Sequence, residues 1–271
     1  MTHQPLLMGV LNATPDSFFD GGKYTSLEKG VQRAAQMIRE GADLLDIGGE
    51  SARPGSDPVS EAEELRRVIP LINEIRRNFE IPISIDTYKP KVAEEAARAG
   101  ATLINDITGV QDPKMRRVAR EYNTDLCVMH MKGKPKTMQV VDPLYPEGVV
   151  THLLEWFERQ IDELVDFGIE KEKIILDPGI GFGKTVKQNL EIIHHLDQFK
   201  SFGLRVLIGA SRKSFLGKIL EKETQDRLPA TLAIHTIVLV GGADLVRVHD
   251  ISEHRDVIDL ISRMRRELSN P

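Results

Sequence analysis

One cysteine stands in 271 residues, Cys127, so an internal disulfide framework is excluded and a reducing, cytoplasmic compartment is expected. It lies in the apolar run "DLCVMH" and reads as a small buried hydrophobe. Positive charge is not in excess. The formal net charge of −5 argues against general affinity for nucleic acid or anionic membrane, because neither polyanion gains by approaching a negative surface. A local basic pocket stays compatible with that total. No apolar run reaches membrane-spanning length, and "MTHQPLLMGVLNATPD" has no cationic segment followed by a long apolar stretch, so neither anchor nor export signal is expected. HExxH and clustered Cys/His are absent, and His152 and His194-His195 read as helix-side residues rather than metal ligands. Linkers rich in Pro, Gly and Ser are absent too, so one domain is expected over residues 1–271.

A nucleotide loop is missing for a reason that can be stated residue by residue. "DPGIGFGKT" ends like a P-loop, but counting back from Gly183 puts Pro178 where the first glycine must sit. Proline has no N–H to offer a phosphate, so the kinase or ATPase reading fails.

What is present is a repeated boundary: "GADLLDIGG" from Gly41, "GATLINDITG" from Gly100 and "GGADLVRVHD" from Gly241. Each follows a helical pattern, glycine can end a helix in the left-handed conformation, and the apolar run after it has the length of a buried strand. Similar runs at 6–12, 81–87, 125–130, 173–179 and 205–211 bring the total to eight. Thr25 with Glu28 and Ser60 with Glu63 fit capping boxes that start intervening helices. Eight βα units in this length predict a (β/α)8 TIM barrel, with an open doubly wound sheet as the alternative.

In such a barrel the reactive groups lie at the carboxyl ends of the strands, and here those ends are polar: Asn12, Asp46 to Glu50, Asp86-Thr87, Asn105-Asp106, His130, Asp177, Ser211 to Ser214, and Arg247 with His249. Alternation puts Arg247 and His249 on one face of the last strand and Asp250 on the other, so Asp106 and Asp250 are expected to cap or pair. Carboxylate and amide on one side of a pocket, with Lys213, Arg247 and His249 on another, suit a ligand with a hydrogen-bonding ring and an anionic tail. His235 reads as a packing residue of the last core-facing helix, and Trp156 and Phe157 as a helix core stripe. Long loops follow the first two strands, carrying Phe18, Phe19, Asp20, Gly21-Gly22, Arg53 and Gly55, and are expected to act as lids or binding loops.

The motifs "GVLNATPDSFFDGG", "DIGGESARPG", "ISIDTYKP", "INDITG", "MHMKGKPKTMQ", "LDPGIGFGKT", "GASRKSFLG" and "VRVHD", in this order over nearly the whole chain, resemble the dihydropteroate synthase family, the folate-pathway target of sulfonamides. The resemblance implies that 6-hydroxymethyl-7,8-dihydropterin diphosphate is joined to para-aminobenzoate after an SN1-like loss of diphosphate. It implies a pterin site of Asp86, Asn105, Asp177 and Lys213, and a diphosphate site of Asn12, Arg247 and His249 with Mg2+ on Asn12. The aminobenzoate pocket would take Phe18, Asp20, Arg53 and Pro54 together with Phe182, Lys213 and Ser214. Catalysis is expected to depend on Asp20, Arg53, Lys213 and Arg247, and a homodimer through helices near the C-terminus is implied as well. The methyltetrahydrofolate-binding methyltransferases and a non-catalytic paralogue are the rival readings. The first should lack the Phe18/Asp20 lid and the Lys213-Ser214 pocket; the second would have shown loss of Asn12, Arg247 or His249.

Two positions depart from the family pattern: Ala52 where threonine is common, and Phe19 where a small polar residue is common. Ala52→Thr and Phe19→Ser are each expected to change aminobenzoate or sulfonamide affinity without abolishing turnover. Inhibition curves that superimpose on the parent's would refute this.

Overall fold

The computed structural model of the chain describes residues 4–13, 26–51, 57–133 and 145–269. Its strands are β1 Leu6–Asn12, β2 Leu44–Gly48, β3 Ile83–Asp86, β4 Leu103–Asp106, β5 Asp125–Met129, β6 Ile174–Asp177, β7 Arg205–Ile208 and β8 Leu245–Val248. Each pairs in parallel with the next and β8 pairs with β1, which closes the barrel in sequence order and excludes the open sheet. The connecting helices are α1 Ser26–Arg39, α2 Glu61–Asn78, α3 Pro90–Arg98, α4 Pro113–Tyr122, α5 Val149–Asp166, α6 Val186–His194, α7 Leu196–Lys200, α8 Ser214–Leu220, α9 Leu228–Val240 and α10 Ile251–Ser269.

Strand alternation sorts the apolar residues into two bodies. Residues such as Leu7, Leu45, Ile85, Val128 and Val246 join the helix-facing core, where Phe157 and Phe199 are fully buried. Met8, Leu44, Leu103, Cys127, Ile175, Leu207 and Leu245 form a separate cluster that fills the inside of the barrel. Cys127 is thus the buried hydrophobe its context predicts. Two residues further along the same inward register come Asp46 after Leu44, Asn105 after Leu103, Asp177 after Ile175 and Arg247 after Leu245. An apolar layer therefore supports a polar one.

Helix boundaries follow local chemistry, with two departures from the expected signals. Ser60 caps α2 by accepting the Glu63 N–H at 3.2 Å, but the return arm of a capping box is missing because the Glu63 carboxylate takes Arg66 and Arg67 instead. Thr25, of the other expected box, lies outside the described residues. A complete box occurs at Thr185 and Gln188 at the start of α6. Gly41 and Gly100 take the left-handed conformation as expected, whereas the third boundary uses Gly242 rather than Gly241. Thr185→Ala should lower stability by about 1 kcal/mol, read as a lower urea midpoint at unchanged slope.

Candidate active site

The polar layer is organised by one guanidinium. Arg247 Nε donates to Asp46 Oδ2 at 2.5 Å and Nη2 to Asp86 Oδ2 at 2.6 Å, and Asn105 Nδ2 donates to the same Asp46 oxygen at 3.2 Å. Asp46 is fully buried, while the Arg247 side chain keeps 23% of its surface open to the barrel mouth. Asp46 Oδ1, Ser84 Oγ and Asn105 Oδ1 are buried without a hydrogen-bond partner among the described residues. Burial, opposed by Arg247 but reinforced by Asp46, raises the Asp86 carboxyl to about 7. Burial works against the charge on Arg247, and the neighbouring carboxylates of Asp46 and Asp86 outweigh it and hold the guanidinium charged. Asp177, also buried, is pushed upward by desolvation, against which Lys213 and the Gly179 N–H, donating to Oδ1 at 2.7 Å, act.

The loop "DPGIGFGKT" inverts the polarity of a phosphate loop. Gly179, Gly181 and Gly183 have φ of 68°, 83° and 62°, and the turns they make point carbonyls, not N–H groups, at the buried ammonium of Lys184. Lys184 Nζ donates to the oxygens of Gly179 at 3.0 Å, Phe182 at 3.1 Å and His130 at 3.2 Å, with His130 Nδ1 also at 3.2 Å. A Cβ on Gly179 would lie 2.0 Å from the His130 oxygen, and one on Gly183 2.2 Å from that of Lys132, so side chains are excluded on steric as well as conformational grounds. The loop is thereby clamped onto the end of β5. On its outer side the Ile180 carbonyl accepts from Lys213 Nζ, which also lies 4.4 Å from the centre of the Phe182 ring. Burial lowers Lys213 to about 8.

At the ends of β7 and β8, Ser211 Oγ and His249 Nδ1 are 2.9 Å apart. Arg212, itself left-handed at φ 54°, forks onto Asp250 at 2.8 and 2.6 Å. Asp250 is therefore the pairing residue expected from its face of the strand. Asp106 closes its own turn by accepting from Thr108 N and Oγ1, both at 2.7 Å. Ser214 opens α8 and is exposed, and Asn12 ends β1 half-buried beside Gly48 of β2. Phe157 lies in the core as read, and Trp156 packs at its edge against His130 at 5.0 Å.

A family model described as pterin binding enzyme matches residues 8–249. The dihydropteroate synthase of Escherichia coli (strain K12) is 45% identical over 249 residues, covering 92% of this chain and 88% of that one. The chain belongs to the dihydropteroate synthase family. The Yersinia pestis dihydropteroate synthase, solved with a sulfonamide drug complex, superimposes with a TM-score of 0.91 at 42% identity, covering 97% of this chain and 94% of that one. The Xanthomonas albilineans dihydropteroate synthase in complex with 7,8-dihydropteroate gives 0.88 at 34% identity, covering 98% and 95%.

Of the residues expected from sequence, Asp86, Asn105, Asp177, Lys213 and Arg247 converge in the barrel mouth, with Phe182 beside Lys213 and His249 beside Ser211. Phe18, Asp20, Arg53 and Pro54, together with Phe19 and Ala52, lie outside the described residues. Sequence reading missed two members. Asp46 passed as one more polar strand residue, although a carboxylate two places after a barrel-filling leucine needs a buried cation. Lys184 was weighed only as part of a failed nucleotide motif.

Burial, opposed by Asp177, lowers Lys184 to about 7. Its unfolded value is near 10.4, so between these pH values the unfolded chain binds more protons and this group's contribution to stability rises with pH. Below about pH 7 the cost of burying the charge is present in full. Lys184→Met should remove that pH slope and destabilise by roughly 2–4 kcal/mol through the stranded carbonyls, as read from urea titrations at several pH values.

Proposed function

We propose that this chain condenses 6-hydroxymethyl-7,8-dihydropterin diphosphate with para-aminobenzoate, giving 7,8-dihydropteroate and diphosphate. Membership of the dihydropteroate synthase family supports the reaction, and the observation that carries it to this site is the convergence of Asp86, Asn105 and Asp177 with Arg247 and Lys213 in one barrel mouth. Buried acceptors that lack partners among the described residues, Asp46 Oδ1 and Asn105 Oδ1, suit the N–H donors of a pterin edge. The C–O bond to the diphosphate breaks first, its electron pair leaving with the phosphate oxygen, and the methylene cation is delocalised into the pterin ring. Asp86 and Asp177 favour that positive ring, and the aniline nitrogen then forms the new C–N bond and loses a proton.

The leaving diphosphate is read onto Asn12, Arg247 and His249. Mg2+ fits here as an ion that arrives with the diphosphate: the amide oxygen of Asn12 is a hard donor, phosphate and water would fill the remaining positions, and no cluster of three or more His, Cys, Asp or Glu that would hold a metal alone exists among the described residues. Bound there, it would offset charge on the leaving group. Phe182, Lys213 and Ser214 are read as the aminobenzoate side, where a sulfonamide would compete, with Phe18, Asp20, Arg53 and Pro54 completing it. We read the chain as one domain and the protein as a cytoplasmic homodimer. α9 and α10 pack together and expose Ile237, Val240, Leu260 and Met264, a face that a second copy would cover.

Diphosphate release from the pterin diphosphate with Mg2+, with and without aminobenzoate, while dihydropteroate is followed by mass spectrometry, tests this function. Aminobenzoate-dependent product supports it, and pterin binding without turnover would contradict it. Asp177→Asn should weaken binding of 6-hydroxymethylpterin by about 1.5–3 kcal/mol. Because Asp86 must be ionised to accept from the ring, affinity should fall as pH drops through about 7, and Asp86→Asn should flatten that dependence in calorimetric titrations.

A further inference from the structure

The β7–β8 ladder runs only through Leu207–Leu245 and Ile208–Val246, short of the residues that carry Ser211, Lys213 and His249. Beyond that point the two loops are joined by imidazoles. His235 of α9 and His254 of α10 are both fully buried, with ring centres 4.9 Å apart. The Ala210 N–H donates to His235 Nε2 at 3.2 Å, His235 Nδ1 lies 2.8 Å from His254 Nε2, and His254 Nδ1 lies 2.5 Å from the Asp250 carbonyl oxygen.

This chain of bonds has one consistent set of protons. His235 Nε2 accepts a backbone N–H, so it carries no hydrogen, and the neutral ring has its proton on Nδ1. That proton points at His254 Nε2, which must then accept, leaving the His254 proton on Nδ1 to donate to the Asp250 carbonyl. An imidazolium at His235 would set Nε2–H against the Ala210 N–H, and one at His254 would set two N–H groups against each other. Burial shifts both rings toward the neutral form that the bonding pattern requires; the charged or titratable groups around His235 are His254, Lys213 and His249, and those around His254 are Asp250, Glu253 and Arg212. The bridge starts one residue before Ser211 and ends one residue after His249. Asp250 itself is forked by Arg212, so the turn from Ser211 to Lys213 is tied to Asp250 from its start, through Ala210 and the two rings, and from its middle residue.

We propose that His235 and His254 are positioning residues, a neutral imidazole pair of fixed tautomer that takes over from the sheet ladder and sets the separation of Lys213 from His249. The functional part of this inference rests on the diphosphate and pterin reading above.

The test begins with histidine-selective 15N labelling of the unsubstituted protein near neutral pH. Two neutral rings protonated at Nδ1, assigned through His235→Asn and His254→Gln, are expected; either ring protonated at Nε2 or doubly protonated would overturn the bridge. Glutamine at position 254 can accept from His235 and donate to Asp250, whereas leucine can do neither. His254→Leu should raise the KM for the pterin diphosphate, which is read onto both Lys213 and His249, about tenfold, and that for aminobenzoate, which is read onto Lys213 without His249, by a smaller factor, and His254→Gln should recover most of the loss. Equal effects of leucine and glutamine, or a fall in kcat with both KM values unmoved, would reduce the pair to packing and overturn the positioning role. The tautomer measurement decides even where His254→Leu fails to fold. A wrong tautomer leaves synthase turnover standing, and absent turnover leaves the tautomers standing, so the two readings fail separately.

Discussion

The shared guanidinium of Arg247 is the interaction on which the barrel's upper layer depends. Two carboxylates face each other inside a closed sheet, on β2 and β3, and one cation from β8 on the far side of β1 lies between them. Without it, Asp46 would be an uncompensated charge above a layer of methionine, leucine and cysteine. With it, Asp46 is held through Oδ2, and Asp86 is left near the balance point between its protonated and ionised forms. Structural compensation and the ligand recognition proposed above therefore use the same atoms.

Around that centre, the supporting contacts divide by polarity. On the β5–β6 side, carbonyl groups wrap a buried ammonium and present Phe182 and the Ile180 carbonyl to Lys213. On the β7–β8 side, Arg212 with Asp250 and the His235–His254 pair hold the turn that supplies Lys213 from behind. Lys213 is thus approached from both sides by fixed groups. At the β2–β3 side, Glu50 accepts from Val59 N–H, Tyr88 and Lys89, and Lys89 also pairs with the buried Glu64, so a charged cluster backs the mouth there as well. Each of these devices replaces ladder hydrogen bonds that end where the strands end.

The barrel was legible in the sequence because its strands are apolar on both faces and three of them follow helix-ending glycines, a pattern that needs no tertiary knowledge. Asp86, Asn105, Asp177 and Arg247 were legible because strand ends could be placed to within a residue or two. Asp46 was not singled out because its meaning depends on a partner 201 residues away. His235 carried no local signal beyond helix packing, since its role comes from a second histidine on another helix and from a backbone N–H beyond the end of β7. Lys184 shows the opposite difficulty. Its local motif was strong enough to invite comparison with a phosphate loop, yet only the direction of the carbonyls reveals what it binds.

The most direct test of the central claim is a denaturant comparison of Arg247→Met with the triple variant Asp46→Asn/Asp86→Asn/Arg247→Met. Removing the cation alone should cost about 3–5 kcal/mol, because two buried carboxylates lose their partner, and neutralising both should restore most of that loss. An unchanged midpoint in the single variant, or a triple variant no more stable than the single one, would contradict the account.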